Sequence, residues 1–275
     1  RLRNTLRFLL GSLSGFDRDK EQMAYEEMPE LEQWVLHRLS ELDNIVREGY
    51  ESYQFQSVFQ QLFQFCTIDL SSVYFDIRKD SLYCDSQESQ VRRSSRTVLD
   101  ILFFRLATWL APILVFTSEE LWLERFGDTD TSVHLEDIPD NPRKWHKEEL
   151  SWKWDQIRRV RKVVTGAIEI QRQNKVIGSS LEASPKVFID DQNLFELVSS
   201  IDFAEICITS SISVELGQVN NSMFRLEEID NVGVLFELAS GDKCQRCWKY
   251  TNSSGNVSEH KDICKRCSKT FFGNN

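Results

Sequence analysis

Residues 54–79 read QFQSVFQQLFQFCTIDLSSVYFDIRK. Phe55, Phe59, Leu62, Phe63, Cys66, Leu70, Val73, Tyr74 and Ile77 recur every three or four positions. That is the spacing of one face of a helix, not the two-residue alternation of a strand. No glycine or proline interrupts the run. Three further stripes share the period. Residues 28–49 carry Leu31, Trp34, Val35, Leu39, Leu42, Ile45 and Val46 behind Pro29, placed where a first helical turn tolerates proline. Another stripe runs from about 89 to 110, and the last from Pro112 to Phe126. In the last, Thr117 and Ser118 precede Glu119 and Glu120 and read as a capping start for its second half. With the short stretch 1–13, these stripes predict a helix bundle.

Composition agrees. Of 275 residues, 11 are Gly and 5 are Pro, about half the usual share of roughly 12%. Few turn residues mean few turns, which excludes collagenous, low-complexity and many-stranded all-β chains. The stretch 127–146, with Gly127, Pro139, Asn141 and Pro142, reads as a boundary or long loop. A long helix follows over about 147–176. Its apolar positions Ile157, Val160, Val164 and Ile168 lie apart from a basic set at Arg158, Arg161, Lys162 and Arg172. That set reads as a solvated face or as a contact to a nucleic-acid backbone. After Gly178 the period shortens. Val187 and Ile189 alternate with polar neighbours, as do Val232, Val234, Phe236 and Leu238, and Phe203–Ile208 is a short apolar run. These predict strands, with a short helix at 193–200. The fold class is mostly α: a helical domain over 1–146, a long helix plus small α+β subdomain over 147–240, and a separate module over 241–275.

That last module is decided by its cysteines. Cys244-Gln-Arg-Cys247 is followed after sixteen residues by Cys264-Lys-Arg-Cys267. Two cysteines three apart on a tight turn offer both sulfurs to one ion, and two such turns complete a tetrahedron of thiolates. Four protein ligands leave no open position, so the expected ion is one structural Zn²⁺. A 35-residue tail cannot bury enough surface to fold alone, and metal binding supplies the missing stability. A rubredoxin-like iron site and a dithiol redox pair are the rival uses of such spacing. Cys66, Cys84 and Cys207 read as packing residues. His37, His134, His146 and His260 show no metal spacing with one another. Seven cysteines with four in one cluster suit a reducing cytosol rather than a disulfide framework.

The net charge of −10 argues against a nucleic-acid binder when taken as an average. It is unevenly spread. Residues 241–275 hold seven Lys or Arg against three Asp or Glu, a charge of +4, which leaves −14 on the other 240. Around the cysteines, Lys243, Arg246, Lys249, Lys265 and Arg266 interleave with Trp248 and Tyr250. Cations beside thiolates offset the charge of the metal centre, and the same mixture suits phosphate contact with base stacking. No signal peptide and no apolar run of membrane-spanning length are present. The chain opens at Arg1 within a helical pattern, as a piece of a larger protein does.

Several stretches together resemble the C-terminal region of bacterial-type isoleucyl-tRNA synthetases, class I aminoacyl-tRNA synthetases. They are Arg3-Asn4-Thr5-Leu6-Arg7-Phe8-Leu9-Leu10-Gly11; Leu70-Ser-Ser-Val-Tyr74-Phe75-Asp76 with Lys79-Asp80 and Leu82-Tyr83; and Trp109-Leu-Ala-Pro112 with Glu119-Glu120-Leu-Trp122. More particular are Ile177-Gly178-Ser179-Ser180-Leu181-Glu182-Ala183 and Lys243-Cys-Gln-Arg-Cys247-Trp248-Lys249-Tyr250 with Cys264-Lys-Arg-Cys267. Ser81 stands where relatives commonly have Arg. The resemblance implies an anticodon-binding helical domain, a terminal zinc module with ligands Cys244, Cys247, Cys264 and Cys267, and tRNA(Ile) as partner. It implies RNA contacts by Arg246, Trp248, Lys249 and Arg266 in the module, and by Arg3, Asn4 and Arg7 at the start. It further implies a cytoplasmic monomer. The family's His-Ile-Gly-His and Lys-Met-Ser-Lys-Ser motifs are absent. No catalytic residue is therefore assigned. ATP and Mg²⁺ belong to the parent's catalytic part, and this chain alone is expected to be inactive in ATP-dependent isoleucine–tRNA ligation. The competing readings are a zinc-finger DNA-binding module like that of base-excision-repair glycosylases, and an acidic helical scaffold.

Overall fold

The helical stripes fold into the first of two units, Arg1–Tyr83 with Gln87–Ser151. The computed structural model describes residues 1–127, 130–253 and 261–272. In this unit α1 (Leu2–Ser12) and α2 (Arg18–Glu21) precede the long α3 (Glu30–Glu51). Next comes one continuous helical rod: α4 (Phe55–Gln64), a π-helical segment (Phe65–Tyr74) and α5 (Phe75–Cys84). α6 (Gln90–Leu110) and α7 (Val115–Phe126) complete the unit. α3 lies against α4 and α6, while α1 lies against α6, α7 and the π-helical segment. Trp34, Phe65, Tyr74, Phe103 and Trp109 are fully buried between them. Gly49 permits the close approach of α3 to α4: a Cβ there would stand 2.3 Å from Val58 Cγ2.

One charge pair sits inside this core. Arg78 donates to both carboxylate oxygens of Glu32, at 2.7 and 2.8 Å, and both side chains are buried. Tyr74 Oη and Ser95 Oγ also donate to Glu32 Oε1, at 3.1 and 3.0 Å. A buried carboxylate is tolerated only with such full pairing.

The capping start expected at Thr117 and Ser118 is not there. The chain leaves α6 through a tight turn in which Leu114 N–H bonds Leu110 O at 2.6 Å. α7 then begins at Val115, and Ser118 N–H already bonds Leu114 O at 2.9 Å. Thr117 and Ser118 therefore lie within the helix, past the position from which a side chain could start it.

The second unit comprises Cys84–Ser86 and Trp152–Asn275. α8 (Glu148–Gln173) supplies it with buried Ile157, Val160, Val164 and Ile168. Four strands follow: β1 (Lys186–Ile189), β2 (Ser213–Leu216), β3 (Phe224–Leu226) and β4 (Ile229–Leu235). They pair in the order β2-β1-β4-β3. Only β1 and β2 run parallel, and parallel neighbours require a crossover. α9 (Gln192–Ser199) and α10 (Phe203–Cys207) form it.

α10 overturns the strand expected at Phe203–Ile208. Asp202 accepts Glu205 N–H at 3.1 Å and starts a helix, which Ile208 ends at φ +57°. Phe203, Ile206 and Cys207 are its buried face, spaced by three and four. A six-residue apolar run is too short for its period to separate helix from strand. The alternation read through Leu238 also overshoots. β4 ends at Leu235, and Leu238 is exposed, joined to Ala183 by a single bridge. The Ser179–Glu182 segment is a capping box that turns the chain toward β1: Ser179 Oγ accepts Leu181 N–H, and Glu182 Oε1 accepts Ser179 N–H at 3.1 Å.

Candidate metal centre

A two-stranded hairpin, β5 (Asp242–Lys243) and β6 (Tyr250–Thr251), brackets the first cysteine pair. Gly241 allows it, with φ +91° and a Cβ position only 2.5 Å from the Thr251 backbone. The second pair opens α11 (Lys265–Phe272). Cys244 N–H bonds Lys249 O at 3.0 Å and Trp248 N–H bonds Cys244 O at 2.8 Å, closing the first knuckle. Gln245 N–H bonds Asp262 O at 2.9 Å, and Cys264 N–H reaches Cys244 Sγ at 3.2 Å, so the two knuckles are joined.

Cys244, Cys247, Cys264 and Cys267 are all buried, and their sulfurs lie within 4.8 Å of one another. Thiolates about 2.3 Å from a central ion stand about 3.8 Å apart in a tetrahedron. The Cys247–Cys264 sulfur separation is 3.8 Å. The donor set therefore fits a tetrahedral thiolate-loving ion. Burial pushes the Cys244 thiol up, but the backbone N–H groups of Cys247, Cys264 and Arg246 outweigh it and bring it below the usual thiol range. The Cys247 thiol is pushed up by its hydrogen bond with Cys267 and by burial. Four thiolates cannot share so small a volume without a cation to hold them.

Around this centre the basic residues divide. Arg246 Nη1 donates to Cys84 O at 2.6 Å, and its guanidinium lies 6.0 Å from the Phe271 ring. Arg266 pairs with Asp85 at 3.7 Å. Both side chains thus serve the module's own structure. Trp248 faces the other way. Its backbone is left-handed at φ +66°, its indole is 60% exposed, and Lys243 Nζ lies 5.9 Å from the ring. Lys249 is half-buried. His260 lies outside the described residues.

The remaining predicted contacts are on α1, in the first unit. Arg3, Asn4 and Arg7 are exposed on one side of that helix. Arg3 pairs with Glu120 at 2.5 Å, and Arg3 and Arg7 line an open groove shared with Arg18, Glu124 and Arg125. The basic face of α8 is largely engaged within its own unit: Arg161 Nε donates to Ile206 O at 2.8 Å, Lys162 pairs with Glu228 and Arg172 with Glu169.

Cys84, read from the sequence as a packing residue, packs against this centre. It is 6% exposed and lies in the buried cluster formed by the four cysteines. Only the fold brings it there, because it stands 160 residues before Cys244 in the chain. Cys66 and Cys207 are buried elsewhere, and burial pushes the Cys66 thiol up to about 12.

Residues 32–187 match the anticodon-binding domain of tRNA ligase, and residues 241–270 match the zinc finger found in FPG and IleRS. The chain is 52% identical over 267 residues to an isoleucine–tRNA ligase of Ruegeria pomeroyi and 48% identical over 266 residues to one of Agrobacterium fabrum. It is 45% identical over 269 residues to one of Mesorhizobium japonicum. Each similarity covers 97% of this chain and 27% of the relative. The chain therefore spans about a quarter of the length of the relatives it matches. A zinc finger of this type is shared with the repair-type alternative, but the helical body and the similarity over 97% of this chain fall on the tRNA-ligase side.

Proposed function

The chain belongs to the anticodon-binding domain family of tRNA ligases, and on that premise we propose that it is the tRNA(Ile)-recognising C-terminal part of an isoleucine–tRNA ligase. The observation that carries this reading furthest is the pairing of the buried four-cysteine centre with an indole held outward beside it. An anticodon loop presents unstacked bases, and proteins read these by stacking on aromatic rings and by hydrogen bonds to base edges. Trp248 supplies the ring, with Lys243 and Lys249 as neighbouring cations. Arg3, Asn4 and Arg7 supply a polar edge on α1. Arg246 and Arg266 act on RNA only by shaping the knuckles that present Trp248.

Cys244, Cys247, Cys264 and Cys267 hold one Zn²⁺. When bound, the ion supplies folding stability to the 241–275 module, and with all four positions taken by thiolates it has no hydrolytic role. The chain holds no catalytic residue of the ligation. Isoleucine, ATP and Mg²⁺ are handled by the rest of the parent enzyme, a cytoplasmic monomer. Among the described residues no helix is long and apolar enough to cross a membrane.

Gel shift at low salt with tRNA(Ile), non-cognate tRNAs and duplex DNA tests the reading. Preferential retardation of tRNA(Ile) is expected. Equal or stronger binding of duplex DNA sinks it in favour of the repair-type module, and no binding of any nucleic acid favours a scaffold. Metal analysis of protein purified under reducing conditions is expected to find one zinc per chain, and iron or no metal overturns the zinc assignment.

A further inference from the structure

The stretch Ile177–Ala183 takes no part in the metal centre, yet it grips the hairpin that carries Trp248 at both ends. Its turn is held from within: Glu182 Oε1 accepts Gly178 N–H and Ser179 N–H, and Ser179 Oγ accepts Leu181 N–H. The turn then offers successive carbonyls to other segments. Leu181 O accepts Ser210 Oγ–H at 2.5 Å, Glu182 O accepts Ala239 N–H at 2.8 Å, and Ala183 O accepts Ser210 N–H at 3.3 Å. Ala239 stands two residues before Gly241, where the chain enters the hairpin. Tyr250 stands two residues after Trp248, where the chain leaves the first knuckle, and its N–H donates to Ser210 Oγ at 2.7 Å. One hydroxyl thus accepts from the hairpin and donates to the turn, which uses both of its hydrogen-bonding capacities.

Both anchors belong to the sheet. The turn leads into β1 at Lys186, and Ser210 precedes β2 at Ser213. The Trp248 indole is 60% exposed, so its own packing does little to aim it. A recognition group aimed by its support loses less freedom on binding than one that has to be ordered at that moment. Within the knuckle, the bond from Trp248 N–H to Cys244 O fixes Trp248 relative to the cysteines. The bridge through Ser210 fixes the same hairpin relative to β1 and β2. Resting on the reading of Trp248 as a stacking ring for RNA, we propose that Ser210 is a positioning residue for RNA recognition: its hydroxyl, bridging Tyr250 N–H and Leu181 O, sets the bearing of the Trp248 hairpin on the sheet. Ser210 itself touches no RNA. Without the bridge the hairpin holds its competent bearing for only part of the time, and the apparent Kd rises by the inverse of that fraction. The rise is bounded by the worth of the lost bond, about two- to tenfold.

A double-mutant cycle on the zinc-loaded 275-residue chain tests this, with tRNA(Ile) affinity read by filter binding beside zinc content and a thermal melt. Ser210→Ala is expected to weaken binding about two- to tenfold with its zinc retained. Its melting temperature should fall by no more than about 4 °C, the worth of one such bond. Ser210→Thr, which keeps the hydroxyl, is expected to bind within about twofold of the unaltered chain. In a Trp248→Ala background the effect of Ser210→Ala is expected to vanish, because no ring is left to aim. A full effect in that background overturns the proposal. So does Ser210→Ala binding as tightly as the unaltered chain, or Ser210→Thr binding as weakly as Ser210→Ala. Loss of zinc from Ser210→Ala makes the hydroxyl a support of the fold alone and overturns it too. Amide exchange at Tyr250 reads the bond itself: it is expected to quicken in Ser210→Ala, and unchanged exchange counts against the bridge. Trp248→Ala binding tRNA(Ile) as tightly as the unaltered chain defeats the reading of Trp248, a result distinct from any Ser210 variant matching the unaltered chain.

Discussion

Trp248 is a residue on which the structure places a local cost. A bulky side chain at φ +66° stores roughly 1–3 kcal/mol of backbone strain, and its ring is left in water. Trp248→Gly removes both the strain and the ring. The variant is expected to keep its zinc and its thermal stability while losing about 1–3 kcal/mol of tRNA affinity, the worth of one stacked base. Filter binding beside a thermal melt checks it, and unchanged affinity takes Trp248 out of the interface. Glu41 makes a second prediction at this scale. His37 Nδ1 accepts Lys147 N–H at 2.9 Å, so its Nε2 carries the proton and faces Glu41 at 3.4 Å. That imidazole, opposed by burial and helped by Arg38, holds the Glu41 carboxyl below its ordinary 4.5. A lowered carboxyl stabilises the fold above pH 4.5 and ceases to do so as pH falls through the native value. Glu41→Gln should cost stability in urea melts at neutral pH, and the difference from the unaltered chain should shrink in melts below pH 4.5. At this scale the four clustered cysteines were legible because a metal site demands fixed spacing along the chain. The packing of Cys84 against them was not, since only the fold brings it there across 160 residues of chain. Nor was the inward turn of Arg246, which depends on where the Cys84 carbonyl lies.

Among the elements, the long stripes were readable because each repeats its period several times. α3, α6 and the rod from α4 to α5 fall within a few residues of their predicted spans. The short elements were not. β2 and β3 span four and three residues, at most two periods of a strand pattern, and α10 shows little more than one helical turn. Their states are set by Asp202 as a cap and by pairing with β1 and β4, which are tertiary facts. The contact between α3 and α4 gives the prediction proper to this scale. A Cβ at Gly49 meets Val58 Cγ2 at 2.3 Å, and valine, branched at Cβ, has no rotamer with which to withdraw cheaply. Gly49→Ala is expected to destabilise the first unit by about 1–3 kcal/mol, read as a lower urea midpoint at unchanged slope. A stabilised protein, as helix propensity alone predicts, contradicts this packing account.

At the scale of the whole molecule, the net charge of −10 conceals an acidic body and a basic metal module. The proposed module over 241–275 depends on its metal and the bundle does not. Cys264→Ser is therefore expected to abolish zinc binding and unfold the module while most helical circular dichroism persists, and loss of that signal contradicts the division. The π-helical segment Phe65–Tyr74 sets a further limit on what the chain can tolerate. Buried positions in the rod recur at intervals of four, as in Val58, Leu62, Cys66, Leu70, Tyr74 and Arg78. An α-helix advances by about 400° over four residues, so such a stripe would wind off its own face. The wider turns of the π segment wind it back. A one-residue deletion there would let the backbone relax to ordinary α-helix, an apparent gain. It would also change the phase of everything downstream, because the segment loses a residue and winds more tightly at once, and Arg78 would no longer meet Glu32. Along this rod the count of residues, as much as their identity, decides whether the buried carboxylate of Glu32 finds its guanidinium.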